Sequence, residues 1–225
     1  MVNWAVPPAL LMPYVPRGVV LDPWEGRHWM SLVGFRFLDT RIGGVRIPFH
    51  QEFCEVNLRF YVGRLVAGEW RRGVVFLREL VARRAVTALA RWCYHENYLT
   101  LPMRAAVSNT PDACEVEYGW RSRSGWSTLA ARSTAPWEDA GPEAKFITEH
   151  FWGYSRQRDG ATREYRVDHP MWRVRLPESL RVEGAFEETY GENFAQHLRR
   201  APDSAFVADG SAVSVFAGTR LGDHL

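Results

Sequence analysis

The chain has 225 residues, of which 46% are hydrophobic, enough to build a sizeable core in one large domain or two small ones. No apolar run reaches the roughly 20 residues that cross a bilayer, and Met1–Pro8 lacks the basic start of a secretory signal. The three cysteines, Cys54, Cys93 and Cys114, form no C-x-x-C pair, which argues against a disulfide framework or a cysteine zinc site. We therefore predict a cytoplasmic protein that does not associate with membranes.

The charge is nearly balanced, with 28 basic and 26 acidic residues. Lysine occurs once, at Lys145, so arginine supplies almost all of the positive charge. Arginine grips phosphate well, but these residues are scattered and no basic run exceeds two, so we predict no nucleic-acid partner. Chemistry that forms a Schiff base would have a single amine side chain at its disposal.

In chain order, short β-type runs recur between Gly, Pro, Asp and Asn turn signals. A long strand is predicted over Trp29–Leu38. Strict alternation predicts a second strand over Glu55–Val62, and Gly73–Leu77 returns beside it as a hairpin after the turn-like segment 68–72. The further predicted strands are 18–21, 99–108, 113–121, 126–133, 152–158, 162–168, 171–176, 204–208 and 212–217.

Helical spacing predicts an amphipathic helix over 82–94 and a second one over Pro142–Phe151. A third, over 186–199, is weakened by Gly191. No linker, repeat or low-complexity segment divides the chain. We therefore expect a single β-rich α+β domain over residues 1–225, built as a closed or nearly closed barrel with two or three packed helices.

The strand Glu55–Val62 has one apolar and one polar face. The apolar face carries Val56, Leu58, Phe60 and Val62, and the polar face carries Glu55, Asn57, Arg59 and Tyr61. An acid, an amide, a guanidinium and a phenol in one row can all hydrogen-bond a small polar ligand. Two interpretations remain open here: a face that meets water, and a face that lines a pocket.

The hairpin segments Glu55–Val62 and Gly73–Leu77 resemble the YqjF-like family, a group of uncharacterised proteins. Ser31–Phe35, the segment Phe146–Tyr154 and Asp209–Ser211 agree with the same family. The resemblance covers most of the chain. It implies the fold of acetoacetate decarboxylase, a β-barrel around a central cavity.

The resemblance also implies where the decarboxylase chemistry would lie and why it is not expected here. In the decarboxylase, two lysines follow an Arg-Glu pair, and a glutamate lies on an earlier strand. Glu55 matches that glutamate and Arg78-Glu79 match the pair, but Arg83-Arg84 replace the lysines. Because a guanidinium stays protonated, imine-based decarboxylation is not expected.

Arg59 is the first candidate for ligand binding, since a buried guanidinium needs an acidic partner or an anionic ligand. Glu55 is the first catalytic candidate, since a carboxyl in an apolar cavity gains a raised pKa that suits acid or base catalysis. Asn57 and Tyr61 would help to bind the ligand. The alternatives are a structural salt bridge for Arg59 and a core position for Tyr61.

Arg78 is a further candidate for ligand binding and Glu79 for catalysis, although a local ion pair between them is the simpler interpretation. His95 follows the predicted helix and could donate a proton at the cavity mouth, or could stabilise the helix C-terminus. No metal-ligand spacing, phosphate loop or dinucleotide motif occurs in the sequence, so no metal and no cofactor are predicted.

Two functional hypotheses follow from these residues. The first is a barrel that binds a small organic acid or carbonyl compound without lysine Schiff-base chemistry. The second is a lyase or hydrolase that uses Glu55 as general acid or base on the same scaffold. A homo-oligomer is possible, and a plugged barrel with no ligand is a third alternative.

Overall fold

The computed structural model describes residues 1–42, 45–46, 52–82 and 97–221. The predicted helix over 82–94, Arg83-Arg84 and His95 lie almost wholly outside these residues. The strands are β1 (Val2–Val6), β2 (Val20–Leu21), β3 (His28–Phe37), β4 (Arg41–Ile42), β5 (Val45–Arg46), β6 (Phe53–Val66), β7 (Glu69–Val81), β8 (Tyr98–Thr100), β9 (Met103–Asn109), β10 (Cys114–Ser122), β11 (Gly125–Ser133), β12 (Glu138–Asp139), β13 (Trp152–Arg156), β14 (Thr162–Asp168), β15 (Arg173–Arg175), β16 (Ser179–Glu183), β17 (Ser204–Ala205), β18 (Val207–Ala208), β19 (Ser214–Val215) and β20 (Thr219–Arg220).

The described helices are few and short. They are α1 (Pro8–Leu11), followed by a 3₁₀ turn at Met12–Tyr14, α2 (Pro142–Thr148), α3 (Glu187–Tyr190) and α4 (Glu192–Leu198). The third predicted helix is thus two helices, because Gly191 between them has a φ of +81° that a continuous helix does not allow. The predicted β-rich α+β character is confirmed.

The main sheet has eleven strands, with β6 near its middle between β3 and β7. Its main path runs β17-β1-β3-β6-β7-β13-β14-β19, and β2, β20 and β8 pair onto it from the side. A second sheet follows the order β16-β11-β10-β9. Among the described strands, no pairing joins the two ends of the main path, so the closed barrel stays a prediction.

The β6–β7 hairpin is longer than predicted and turns at Ala67-Gly68. Both residues have positive φ, 48° and 85°, which is the backbone of the two-residue turn that matches the twist of a hairpin. The hairpin partner of Glu55–Val62 is therefore confirmed, while the turn lies one residue earlier than the predicted segment 68–72.

A β-bulge interrupts the hairpin at Leu77. Leu58 pairs with Arg78, but its neighbour Arg59 pairs with Phe76, which leaves Leu77 as an extra residue on β7. After the bulge the alternation of β7 is out of phase with the residues before it. Arg78 and Glu79 consequently point to the faces opposite to those that strict alternation from Gly73 would give them.

The two faces of β6 belong to two different cores. Val56, Leu58 and Phe60 pack in the larger core, together with Trp120 of the second sheet. Tyr61 packs in a smaller core under α2. Because hydrophobic or polar side chains are buried on both faces, β6 is the central structural element of the fold.

Replacing Leu58 by Ala tests this placement, because Leu58 is fully buried in the larger core. We expect Leu58→Ala to lower the free energy of unfolding by about 2–5 kcal/mol, measured by urea denaturation, through lost burial and the cavity left behind. Leu65 lies on the same strand but is 65% exposed, so Leu65→Ala is the matched control with an expected change within about 0.5 kcal/mol. Equal losses in the two variants would contradict the assigned faces.

Candidate functional site

The polar face of β6 is buried rather than open to solvent. Glu55, Asn57 and Tyr61 are each 2% exposed or less, and Arg59 is half-buried beside them. Of the two interpretations of this face, the one in which it meets water is therefore wrong. The cover comes from α2 and from neighbouring strands, which bring further polar side chains onto the same face.

Glu55 is buried and accepts hydrogen bonds from two side chains. Asn57 Nδ2 donates to Oε1 at 3.1 Å, and the Tyr98 hydroxyl on β8 donates to Oε2 at 3.2 Å. Burial raises the pKa of the Glu55 carboxyl to about 7. The two hydrogen bonds and the Arg59 charge act in the opposite direction and limit this rise. Glu55 can therefore exist in both protonation states near neutral pH.

Arg59 connects β6 to the end of α2. One of its terminal nitrogens donates to the Ile147 carbonyl oxygen at 3.0 Å, in the last turn of the helix, where the dipole favours a cation. Its guanidinium also lies 5.7 Å from the centre of the Tyr61 ring. No acidic side chain of the described residues is within ion-pair distance, and the buried Nε has no hydrogen-bond partner there.

The Tyr61 hydroxyl belongs to a chain of buried hydrogen bonds. It lies 2.5 Å from Ser31 Oγ, which donates to Asn3 Oδ1 at 2.7 Å. Asn3 Nδ2 donates to Ser204 Oγ at 3.0 Å, and Ser204 in turn contacts Glu143 on α2. The hydroxyl is thus engaged within the fold, as in the alternative that placed Tyr61 in the core.

Glu79 joins the polar face and Arg78 does not. Glu79 lies opposite Asn57 on β7 and beside Tyr98 on β8, and it is 3% exposed. Arg78 lies opposite Leu58 and so faces the larger core. The bulge at Leu77 reverses the direction of the Arg78 side chain, so Arg78 lies on the face of the sheet opposite to Glu55 and Arg59.

His150 lies at the other end of the polar face, and sequence reasoning did not select it. Its ring centre is 4.6 Å from that of Tyr61 and 5.1 Å from that of Phe146. Burial lowers the pKa of His150 to about 4, while the nearby Asp22 carboxylate acts in the opposite direction. The ring is therefore neutral at physiological pH. The sequence of the segment Phe146–Tyr154, in which His150 follows Glu149, gave no signal of the contact between His150 and Tyr61.

A groove of about 580 Å³ opens beyond Phe146 at the far end of β7. Its walls are rich in aromatic and charged side chains: Trp24, Glu69, Trp70, Arg71, Arg72, Pro142, Lys145, Phe146, Glu149, Phe151 and Trp152. Phe146 separates the groove from Tyr61, with 5.2 Å between the ring centres. Of the predicted site residues that the structure describes, none lines this groove.

Two findings concern metal and membrane sites. Among the described residues, no three His, Cys, Asp or Glu side chains lie close enough to hold a metal ion. Within the same part of the chain, no helix has the length and apolar character needed to span a membrane.

A family model described as an uncharacterized conserved protein, DUF2071, matches residues 1–212. The chain therefore belongs to that family, which agrees with the resemblance found in the sequence. No curated protein sequence matches this chain at a significant level.

Solved structures share the fold at low sequence identity. The enduracididine biosynthesis enzyme MppR complexed with pyruvate has a TM-score of 0.61 and 12% identity, covering 97% of this chain and 83% of that one. Acetoacetate decarboxylase from Legionella pneumophila has a TM-score of 0.60 and 12% identity, covering 99% and 84%. An acetoacetate decarboxylase-like enzyme from Sphingomonas wittichii RW1 has a TM-score of 0.58 and 15% identity, covering 98% and 89%. The expected relation to the acetoacetate decarboxylase fold is confirmed.

The raised pKa of Glu55 predicts a specific pH dependence of stability. Above pH 4.5 the unfolded chain releases this proton while the folded protein keeps it until about pH 7, so the stability due to this group falls as the pH rises through that window. At about 1.4 kcal/mol per pH unit the loss is on the order of 3 kcal/mol. Glu55→Gln has no such proton, and we expect its free energy of unfolding to exceed that of the wild type at pH 8 more than at pH 5.

The measurement is urea denaturation at both pH values. Glu138 is exposed, so Glu138→Gln is the control and should follow the wild type at both. Parallel stability curves for Glu55→Gln and the wild type would contradict the burial-raised pKa.

Proposed function

We propose that this member of the DUF2071 family binds a small organic acid or carbonyl compound on the polar face of β6. Support comes chiefly from two buried atoms without partners among the described residues, Arg59 Nε and Asn57 Oδ1. They lie two residues apart on one strand face, about 7 Å along the chain. A buried polar atom without a partner costs free energy, and a ligand that offers one acceptor and one donor would satisfy both.

The charge of Arg59 selects the ligand class. A half-buried guanidinium with no acidic partner in the described part of the chain favours an anion, and a carboxylate matches its geometry. Asn57 Oδ1 would accept a hydrogen bond from an O–H or N–H group of the ligand. The complex of the fold relative MppR with pyruvate is consistent with a small keto acid. We propose that binding needs no imine, since the single lysine, Lys145, lies on α2 and lines the outer groove.

The proposal includes the surroundings of this face. The sheets would close into a barrel around it, as the resemblance implies, within one domain formed by the whole chain. The protein would act in the cytoplasm on a small-molecule ligand, without nucleic acid or membrane. Assembly into a homo-oligomer is compatible with all of this.

A second candidate function is acid–base catalysis by Glu55 as a lyase or hydrolase. The observation that favours it is the pKa of about 7, which is the range in which a carboxyl can both accept and donate a proton. Tyr98 holds the carboxyl in place and Glu79 lies on the same face as a second acid. Bound near Arg59, a ligand would present its reacting atoms to Glu55.

The binding proposal predicts a ligand-induced thermal shift that depends on Arg59. A carboxylic or keto acid at about 100 times its Kd should stabilise the wild type by about 3 kcal/mol, seen as a higher Tm. Arg59→Leu should lose this shift while remaining folded, because the anchoring charge is gone. Arg121→Leu removes an exposed arginine on β10 and is the control. Equal ligand-induced Tm shifts in the wild type and Arg59→Leu would contradict the proposal.

The catalytic alternative predicts that Glu55 and Arg59 variants affect turnover and ligand binding differently. With a substrate identified from the thermal screen, Glu55→Gln should abolish turnover, since the amide cannot transfer a proton, yet leave ligand binding intact. Arg59→Ala should raise KM with a smaller effect on kcat. The wild-type rate should also change with pH near 7. Ligand binding with no detectable turnover would decide against catalysis and leave the binding function.

A further inference from the structure

A group of hydrogen-bond donors lies in the larger core, on the face of the β6–β7 pair opposite to Glu55. Arg78 points into this core from β7, Trp120 from β10 and Tyr190 from α3, which packs against β7. The ring centres of Trp120 and Tyr190 are 6.3 Å apart, nearly perpendicular to one another. The Arg78 charge acts on the Tyr190 hydroxyl, so these two side chains are electrostatic neighbours.

No acceptor for these donors is found among the described residues. Trp120 Nε1, Tyr190 Oη and Arg78 Nε are all buried, and none has a hydrogen-bond partner among the described residues. Trp120 is fully buried and Tyr190 is 7% exposed. No acidic side chain of the described residues forms an ion pair with Arg78. In most proteins nearly every buried donor is paired, so three unpaired donors among the described residues on one side of the sheet call for an occupant.

The chemistry of the group identifies that occupant. Indole and guanidinium nitrogens only donate hydrogen bonds. Burial raises the pKa of the Tyr190 hydroxyl, so it too stays protonated and can donate. A net positive charge together with these donors suits an oxygen anion, and the surrounding apolar side chains, such as Leu58 and Phe186, suit a ligand with a hydrocarbon body.

We infer that Arg78, Trp120 and Tyr190 form a second binding site, which takes the carboxylate of a small aliphatic acid. Arg78 is half-buried and so connects this site to solvent, while Trp120 and Tyr190 line its inner end. The site is separated from Glu55 and Arg59 by the sheet itself. It does not depend on the function proposed for the polar face.

The test is a calorimetric titration of butyrate, with butyramide as the neutral match of the same shape. We expect saturable butyrate binding to the wild type and at least tenfold weaker binding of butyramide. Arg78→Gln should weaken butyrate binding at least tenfold and Tyr190→Phe several-fold. Arg104→Gln, which removes an exposed arginine on β9, is the control and should bind as the wild type does.

Arg59→Leu distinguishes the two sites. Butyrate binding that is kept in Arg59→Leu and lost in Arg78→Gln supports the second site. Binding lost in Arg59→Leu and kept in Arg78→Gln supports only the polar face and overturns this inference. Loss in neither variant, or no butyrate binding to the wild type, overturns it as well.

The stability of the free protein gives a second readout, one that does not depend on how well Arg78→Gln folds. Because the Tyr190 hydroxyl is buried with no hydrogen-bond partner among the residues that the structure describes, Tyr190→Phe should have a Tm equal to or above that of the wild type without ligand. Saturating butyrate should then raise the Tm of the wild type more than that of the variant. A lower Tm for ligand-free Tyr190→Phe would show that the hydroxyl is satisfied within the fold and would overturn the inference.

Discussion

Burial of β6 on both faces is the constraint on which the rest of the structure depends. Its apolar face anchors the larger core, and its polar face is covered by α2, which is held there partly by the Arg59 hydrogen bond to the Ile147 carbonyl oxygen. The acid at Glu55 is therefore kept away from water by the same packing that stabilises the sheet. The strand that stabilises the fold is thus also the strand that carries the acid. Because burial raises the pKa of the Glu55 carboxyl to about 7, this group lowers the free energy of unfolding at neutral pH.

The residues of the polar face differ in how their polar atoms are hydrogen-bonded. Towards α2, Tyr61 is part of a hydrogen-bond chain that reaches Asn3 and Ser204, so it fixes the N-terminal strand in the sheet. On the same face, Asn57 and Arg59 each retain a buried polar atom without a partner in the described part of the chain. Residues of one alternating row thus differ in whether their polar atoms are satisfied among the described residues, which sequence alternation alone does not reveal.

Sequence reasoning predicted the fold where local patterns decide it. The alternation in 55–62 gave the correct faces of β6, and Asp, Asn, Gly and Pro signals located most strands. It missed what depends on distant partners: Tyr98 on Glu55, and His150 on Tyr61. It gave no indication of the face on which Arg78 lies, because the bulge at Leu77 carries no glycine or other local signal, and an extra residue reverses every side chain that follows it.

That bulge has a consequence for the end of β7. Without it, the strand would slip by one residue, placing Arg78 opposite Asn57 and Glu79 opposite Val56. The slip would move Arg78 to the polar face and bury the Glu79 carboxylate in the larger, apolar core. Burying a carboxylate among apolar side chains costs free energy, because they offer it no hydrogen bonds. Burial of Glu79 on the polar face thus favours the observed alignment of the strand. The same alignment sets where β8 joins the sheet, since its pairing begins at Glu79.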